Sequence, residues 1–255
     1  MLINGDVFDH IKNIPNNSIN LILIDPPYLI SRKSNFTNYS KRAQDDIITK
    51  YGKLSIDFGE WDKDEIDWNY LFSQYYRILK KGGTIIIFYD LWKSNEIKKY
   101  AELNKFKQPR ICCWQKTNPV PVNSKINYLS NASEYFFTFI KGSKPTFNSK
   151  YDNGVYSYPI CHGKERHGHP NQKPLQLIKD LIIKHSNAND VVLDTFAGTG
   201  TTAHAAILTG RDYIMIEKDV KYFNIMLERL NDPELLGMTK SKEKIHNIDK
   251  VLDKL

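Results

Sequence analysis

An acid, two prolines and a tyrosine, Asp25-Pro26-Pro27-Tyr28, close the apolar run from Ile19 to Ile24. The run reads as a buried strand entering a tight turn. Two prolines fix the backbone and remove two N–H donors, so the turn offers acceptors: the Asp25 carboxylate and the neighbouring carbonyls. Open α/β sheets bind ligands just outside the carboxyl ends of their strands. Such acceptors suit an amino group on a flat conjugated ring. Its lone pair is delocalised, and taking up its hydrogens pushes the nitrogen toward a pyramidal, reactive geometry. Tyr28 supplies a face on which that ring stacks. Standing alone, the tetrapeptide serves equally well as a plain strand-ending turn.

A second motif breaks the tie. Asp194-Thr195-Phe196-Ala197-Gly198-Thr199-Gly200-Thr201-Thr202-Ala203 follows the apolar strand Val191-Val192-Leu193 and precedes a helical stretch from Ala203 to Leu208. Strand, glycine turn and helix fit G-x-G-x-x-A, where glycines let a ligand approach the backbone and the helix N-terminus offers free N–H groups. No Gly-Lys-Ser/Thr follows, which excludes a P-loop. A further strand, Tyr213 to Ile216, ends at Glu217, an acid placed to grip ribose hydroxyls. The glycine turn by itself allows a nicotinamide cofactor as readily as any other ribose-bearing ligand.

With both motifs in this order, the chain resembles the β-group of amino-methyltransferases that modify DNA with S-adenosylmethionine. The resemblance runs from Leu2 to about Leu230. It includes His169-Pro170-Asn171-Gln172-Lys173-Pro174, similar to the His-Pro-x-Gln-Lys-Pro segment leading into the family's cofactor half, and the opening Asn4-Gly5-Asp6-Val7. The resemblance implies Asp25, Pro26, Pro27 and Tyr28 as catalytic residues. Cofactor contacts are implied for Asp6, Val7, Asp25, His169, Gln172, Lys173, Asp194, Phe196, Ala197, Gly198, Thr199, Gly200, Thr201, Thr202, Glu217 and Lys218. Among these, Lys173 is expected to meet the cofactor's carboxylate. Asp at the first position is typical of adenine N6 enzymes, whereas cytosine N4 enzymes usually carry Ser. The resemblance also leaves room for a homodimer and for a companion restriction endonuclease.

The elements that position these residues follow a doubly wound pattern. Strands are expected at Leu21 to Ile24, Thr84 to Tyr89, Arg110 to Trp114 and Tyr135 to Ile140, besides those flanking the glycine turn. Asp62-Lys63-Asp64-Glu65 looks like a capping box opening a helix that runs to about Leu79 and stops at Gly82-Gly83. Further helices are expected near Lys93 to Leu103 and from Pro174 to about His185. The two strands around 110 and 135 should form an antiparallel edge hairpin. By resemblance the whole is a seven-stranded, mostly parallel, Rossmann-like methyltransferase sheet. One domain is expected over 1–255, with insertions at about 29–60 and 141–168 and a helical C-terminal extension at about 232–255. In that extension Ile245, Ile248, Val251, Leu252 and Leu255 recur at helical spacing.

The 255 residues, 41% hydrophobic, can bury a core. No apolar run approaches the roughly 18–20 residues of a membrane span, and no signal-peptide layout opens the chain, so a cytoplasmic protein is expected. Net charge is +7. Residues 105–184 hold 13 Lys or Arg against 4 Asp or Glu, a net of +9, so the basic excess is concentrated there. Neutralising the phosphates of double-stranded DNA is one use of such a stretch; a solvated lysine-rich surface is the other. DNA contacts are expected from Arg32, Lys33, Phe36, Tyr39, Lys41 and Arg42 in the first insertion, and from Lys116, Lys141, Lys144, Lys164 and Arg166. Three cysteines give no disulfide framework. Cys161, His162, His167 and His169 match no usual ligand spacing, and no metal is expected.

The reading is therefore a DNA methyltransferase acting on the N6 amino group of a flipped-out adenine. Competing readings are a cytosine N4 enzyme, an RNA or protein amino-methyltransferase, an NAD-dependent oxidoreductase and a catalytically inactive nucleic-acid-binding protein. The oxidoreductase leaves Asp25 to Tyr28 without a task.

Overall fold

A computed structural model describes residues 1–27, 66–120, 129–167 and 171–232, apart from the side chain of Lys164. Tyr28, the insertion at 29–60 with its six candidate DNA contacts, the capping box at 62–65, His169 and the stripe at 245–255 lie outside the described residues. The chain divides into two compact units, Met1–Pro26 with Trp68–Leu255 and Pro27–Asp67; the sheet belongs to the first.

In chain order the elements are β1 (Leu2–Asn4), α1 (Val7–His10), β2 (Ile19–Ile24), α2 (Trp68–Ile78), β3 (Leu79–Phe88), α3 (Ser94–Leu103), β4 (Lys107–Lys116), β5 (Ser133–Ile140), β6 (Val155–Tyr158), α4 (Leu175–His185), β7 (Val191–Asp194), α5 (Thr201–Leu208), β8 (Asp212–Glu217) and α6 (Val220–Leu230). They build one sheet in the order β1-β8-β7-β2-β3-β5-β4-β6. The first five of that order are mutually parallel, β5 runs antiparallel to β3 and β4, and β6 is parallel to β4.

The mostly parallel, doubly wound methyltransferase sheet expected from the sequence is present, with two corrections. Eight strands pair among the described residues where seven were expected. β1 (Leu-Ile-Asn) and β6 (Val-Tyr-Ser-Tyr) lack the unbroken apolar run that marks β7, a strand as short as they are. The antiparallel pair β4–β5 forms, but it is not the edge. β6 takes up the outer side of β4, with Cys113 N donating to Gly154 O at 2.8 Å.

β2 is buried on both faces, as parallel strands covered by helices are, and its run of Leu and Ile reflects that. The core continues through Ile85 to Phe88, Phe136, Phe139, Leu193 and Met215. On α2, Phe72 packs edge-on against Tyr75, Phe106 and Phe139. Burying a side chain of this size stabilises the fold by about 1.5–3 kcal/mol. No helix among the described residues is long and apolar enough to cross a membrane.

Strand direction sorts the loops onto two rims. β2 and β3 pair in parallel from Leu21 with Thr84 to Ile24 with Ile87, so Asp25 and Phe88 open on the same rim. Antiparallel β5 begins there with Ser133 and Glu134 and ends at the opposite rim. β4 and β6 finish on the Asp25 rim at Lys116 and Tyr158.

Candidate active site

β2 and β7 are neighbours, with Leu21 opposite Val192 and Ile22 opposite Leu193. Asp25 and the glycine turn therefore leave the sheet side by side. Sheet growth reverses between these strands, toward β3 on one side and β8 on the other, and such a switch point is where open α/β sheets hold ligands. One cleft is lined by Asp25, Phe88, Lys173, Phe196, Gly198 and Thr199 together.

The glycine turn is held from beneath. Buried Asp194 accepts from Phe196 N at 3.0 Å and from the Thr202 hydroxyl at 2.6 Å, tying the start of the loop to α5. Burial pushes its carboxyl up to about 7, although both donors pull the other way. Thr195 Oγ1 lies 2.7 Å from the Tyr75 hydroxyl of α2. Arg229, buried on α6, donates through Nη1 to Thr199 O at 3.2 Å and Thr201 Oγ1 at 2.9 Å, and through Nε to His204 Nδ1 at 3.2 Å. Gly200 has φ +80°, and an added Cβ would stand 2.6 Å from Met226 Cγ, so both conformation and packing require glycine. At Gly198, φ +52°, an added Cβ would meet nothing within 4 Å among the described residues. On that side Gly198 thus offers bare backbone, which fits a ligand lying against it.

Glu217 ends β8 beside that loop. Its Oε2 accepts from Gly198 N at 2.6 Å and its Oε1 from Asp219 N at 2.8 Å. Burial raises its carboxyl above the ordinary value, against the pull of those N–H groups. Asn4 of β1 pairs with Glu217, which brings Asp6 to the same rim. Asp6 caps α1 by accepting from Phe8 N at 3.0 Å and meets Lys218 Nζ at 2.9 Å. Partial burial pushes the Asp6 carboxyl up, but Phe8 N–H and Lys218 outweigh it and hold it low. Val7 is buried as the apolar anchor of α1.

The acceptor side is built from charges instead. Lys173 Nζ lies 2.5 Å from Asp25 Oδ2 and 3.3 Å from Glu134 Oε2, while Lys116 Nζ holds Glu134 Oε1 at 2.7 Å. The Lys173 ammonium also stands 5.1 Å from the centre of the Phe88 ring. Burial would lower its pKa, but Asp25 and Glu134 more than offset this and raise it. Burial likewise pushes Glu134 up, and the two lysines bring it below the ordinary range. Gln172 ties the neighbouring loop down, its Nε2 donating to Glu165 O at 2.7 Å and its Oε1 accepting from His167 N at 2.9 Å and Thr199 Oγ1 at 3.4 Å. An adjoining cavity of about 320 Å³ is bounded by Trp114, Lys116, Glu134, Cys161, Arg166 and Gln172.

Of the described DNA-contact candidates, Lys116 and Arg166 lie on the Asp25 rim, Arg166 exposed and Lys116 committed to Glu134. Lys141 and Lys144 lie at the other rim. Lys141 donates to Tyr76 O, Leu79 O and Asn17 Oδ1 at 2.6–2.8 Å and so caps the carbonyl end of α2. Lys144 is exposed, with its carbonyl beside Gly82 at the start of β3.

A family model described as DNA methylase matches residues 19–228. The chain belongs to that family. The type II methyltransferase M.HinfI of Haemophilus influenzae is 32% identical over 93% of this chain and 72% of its own length. The DNA adenine methyltransferase YhdJ of Escherichia coli (strain K12) is 28% identical over 90% of this chain and 82% of its own. The crystal structure of the M1.HpyAVI–SAM complex superposes with a TM-score of 0.67, at 24% identity over 91% of this chain and 98% of that one.

Two parts of this DNA methylase's site escaped the sequence reading. Glu134 left one trace, as the only acid between residues 105 and 151 of a lysine-rich stretch. Arg229 left none, since an arginine in a last helical turn looks like an ordinary dipole partner.

Proposed function

We propose that the protein transfers a methyl group from S-adenosylmethionine to the N6 amino group of adenine in double-stranded DNA. The observation that carries this is the pairing of β2 with β7, with Asp25 and the glycine loop lining one cleft. Adenine N6 is out of reach inside a duplex, so the base must leave the stack, at a cost of a few kcal/mol. Tyr28 stacks on the extruded ring. Asp25 and the Pro26 carbonyl accept the two N6 hydrogens and turn the nitrogen lone pair toward the glycine loop. When bound, S-adenosylmethionine supplies an electrophilic methyl on a positively charged sulfur. The loop from Phe196 to Thr202, Glu217 for the ribose and Asp6 near the adenine would hold it. As the N–C bond forms and the sulfur–methyl bond breaks, its electron pair staying with the departing thioether, positive charge passes to N6, the Asp25 carboxylate stabilises it, and a proton then passes to water.

Support for adenine over cytosine comes from Asp at the first position of the acceptor turn and from the adenine-specific relative. The basic rim residue Arg166 and the lysines and arginines of 29–60 are proposed to neutralise phosphates. We further propose that a companion endonuclease reads the same site, as the type II relatives suggest, and that the protein acts as a homodimer. The test is incubation with labelled methyl donor and DNA of mixed sequence, followed by hydrolysis to nucleosides. Label in N6-methyladenine is the expected result. Label in N4-methylcytosine, or none in DNA, overturns it.

A further inference from the structure

Asp25 has a task that its own ion pair opposes. To accept the hydrogens of an amine and then stabilise positive charge on its nitrogen, the carboxylate must be free, yet a full ammonium stands 2.5 Å from it. Lys173 is 6% exposed, so water has little access to draw that charge away. Glu134 Oε2 stands on its other side at 3.3 Å, is buried, and makes no hydrogen bond among the described residues. Lys116 fixes the remaining oxygen of the same carboxylate and thereby its orientation. Two lysines and two acids balance among the described residues, and the ammonium already lies between the two carboxylates, at 2.5 and 3.3 Å.

We infer that Glu134 and Lys173 are positioning residues for Asp25: the amine of the substrate takes over the Asp25 oxygens while the Lys173 ammonium moves onto Glu134. In the free protein Lys173 holds Asp25 in place. In the loaded protein Glu134 holds Lys173 away from the nitrogen that becomes cationic. This rests on the methyl-transfer reading above and adds to it an acid that neither motif contains.

The test uses the full chain and the DNA site that wild-type protein methylates. Glu134→Gln keeps the shape but removes the charge that draws Lys173 aside. Turnover should fall about tenfold, with KM for DNA and for the methyl donor within about twofold. Adding Lys173→Met to Glu134→Gln should restore several-fold of that turnover, because the competing cation is gone. A structural role predicts the reverse, a double variant worse than either single one. A second readout needs no methyl donor: 2-aminopurine in place of the target adenine should brighten on binding Glu134→Gln as it does on binding wild type. If Glu134→Gln does not fold, Glu134→Asp takes its place, with a smaller loss and the same restoration by Lys173→Met. No restoration in the double variant, or a lost 2-aminopurine signal, overturns the inference while wild-type activity stands. An inactive wild type overturns the functional reading instead.

Discussion

The glycine loop and the acceptor corner of the cleft treat their acids in opposite ways, while Asp6, farther along the cofactor side, is paired with Lys218 as the acceptor acids are with their lysines. On the cofactor side, Asp194 and Glu217 are held by neutral donors, a hydroxyl and three backbone N–H groups, and burial raises both carboxyls. On the acceptor side, Asp25 and Glu134 are held by lysines, and Glu134 is driven below its ordinary value. The first arrangement fixes a backbone loop and tolerates a proton. The second keeps Glu134 ionised and sets a lysine against Asp25, a charged setting suited to a group that stabilises a developing cation. Acids in one site whose environments push their proton affinities apart mark a division of labour.

The sharpest way to break the comparison is at Asp25. Asp25→Ala should lower methyl transfer by roughly 10²–10³-fold, the scale expected when a preorganised charge-stabilising group is lost. DNA affinity should stay within about twofold, read by gel shift. Lys173 still has Glu134, so the fold should hold. Turnover near the wild-type value would remove Asp25 from the mechanism.

Arg229→Met tests the cofactor side alone. The loop would lose its grip on the Thr199 carbonyl and the Thr201 hydroxyl, and buried polar groups left unsatisfied cost about 1–3 kcal/mol each. Donor KM should rise about tenfold with turnover on saturated enzyme little changed. A fall in turnover at unchanged KM would mean that the two halves are not separable.

Much of this was legible in the sequence, and what was not has a physical reason. Asp25 to Tyr28 and Asp194 to Thr202 announce themselves because a strand end, a proline pair and a glycine turn are local features. Their adjacency was an expectation of strand order, which the β2–β7 pairing supplies. Lys173 is expected from the sequence to meet the cofactor's carboxylate; in the structure it pairs with Asp25 and with Glu134, on a strand 39 residues earlier, and no local pattern encodes such pairs. Lys141 shows the converse error of scale. A lysine in a basic stretch looks free, yet its ammonium donates to two carbonyls at the end of α2, Tyr76 O and Leu79 O, and to Asn17 Oδ1. Composition counts charges and cannot say which are already spent.

A subtler effect lies in the response of the raised acid to pH. Asp194 binds its proton more tightly in the folded state, about 7 against an ordinary 3.8, so its contribution to stability is greatest below the unfolded value. That contribution is lost as pH rises through the window from about 4 to 7. Asn does not titrate. The melting temperature of wild type should therefore exceed that of Asp194→Asn by more at pH 5 than at pH 8. A margin that widens with pH would place Asp194 among the ion-paired acids.

The smallest expected effect separates the two rims, and DNA affinity against salt measures it. Arg166 is exposed beside the acceptor cavity, so Arg166→Ala should weaken DNA binding a few-fold and reduce the slope of log affinity against log salt by about one. Lys141→Ala should leave that slope alone, because its ammonium is committed to Tyr76 and Leu79 carbonyls; it should lower the melting temperature instead. Both residues carry one charge in the same basic stretch. Equal changes in slope would mean that DNA answers to net charge over the whole stretch; unequal ones mean that strand direction, by sending 141–144 to one rim and 159–167 to the other, chooses which charges the duplex meets.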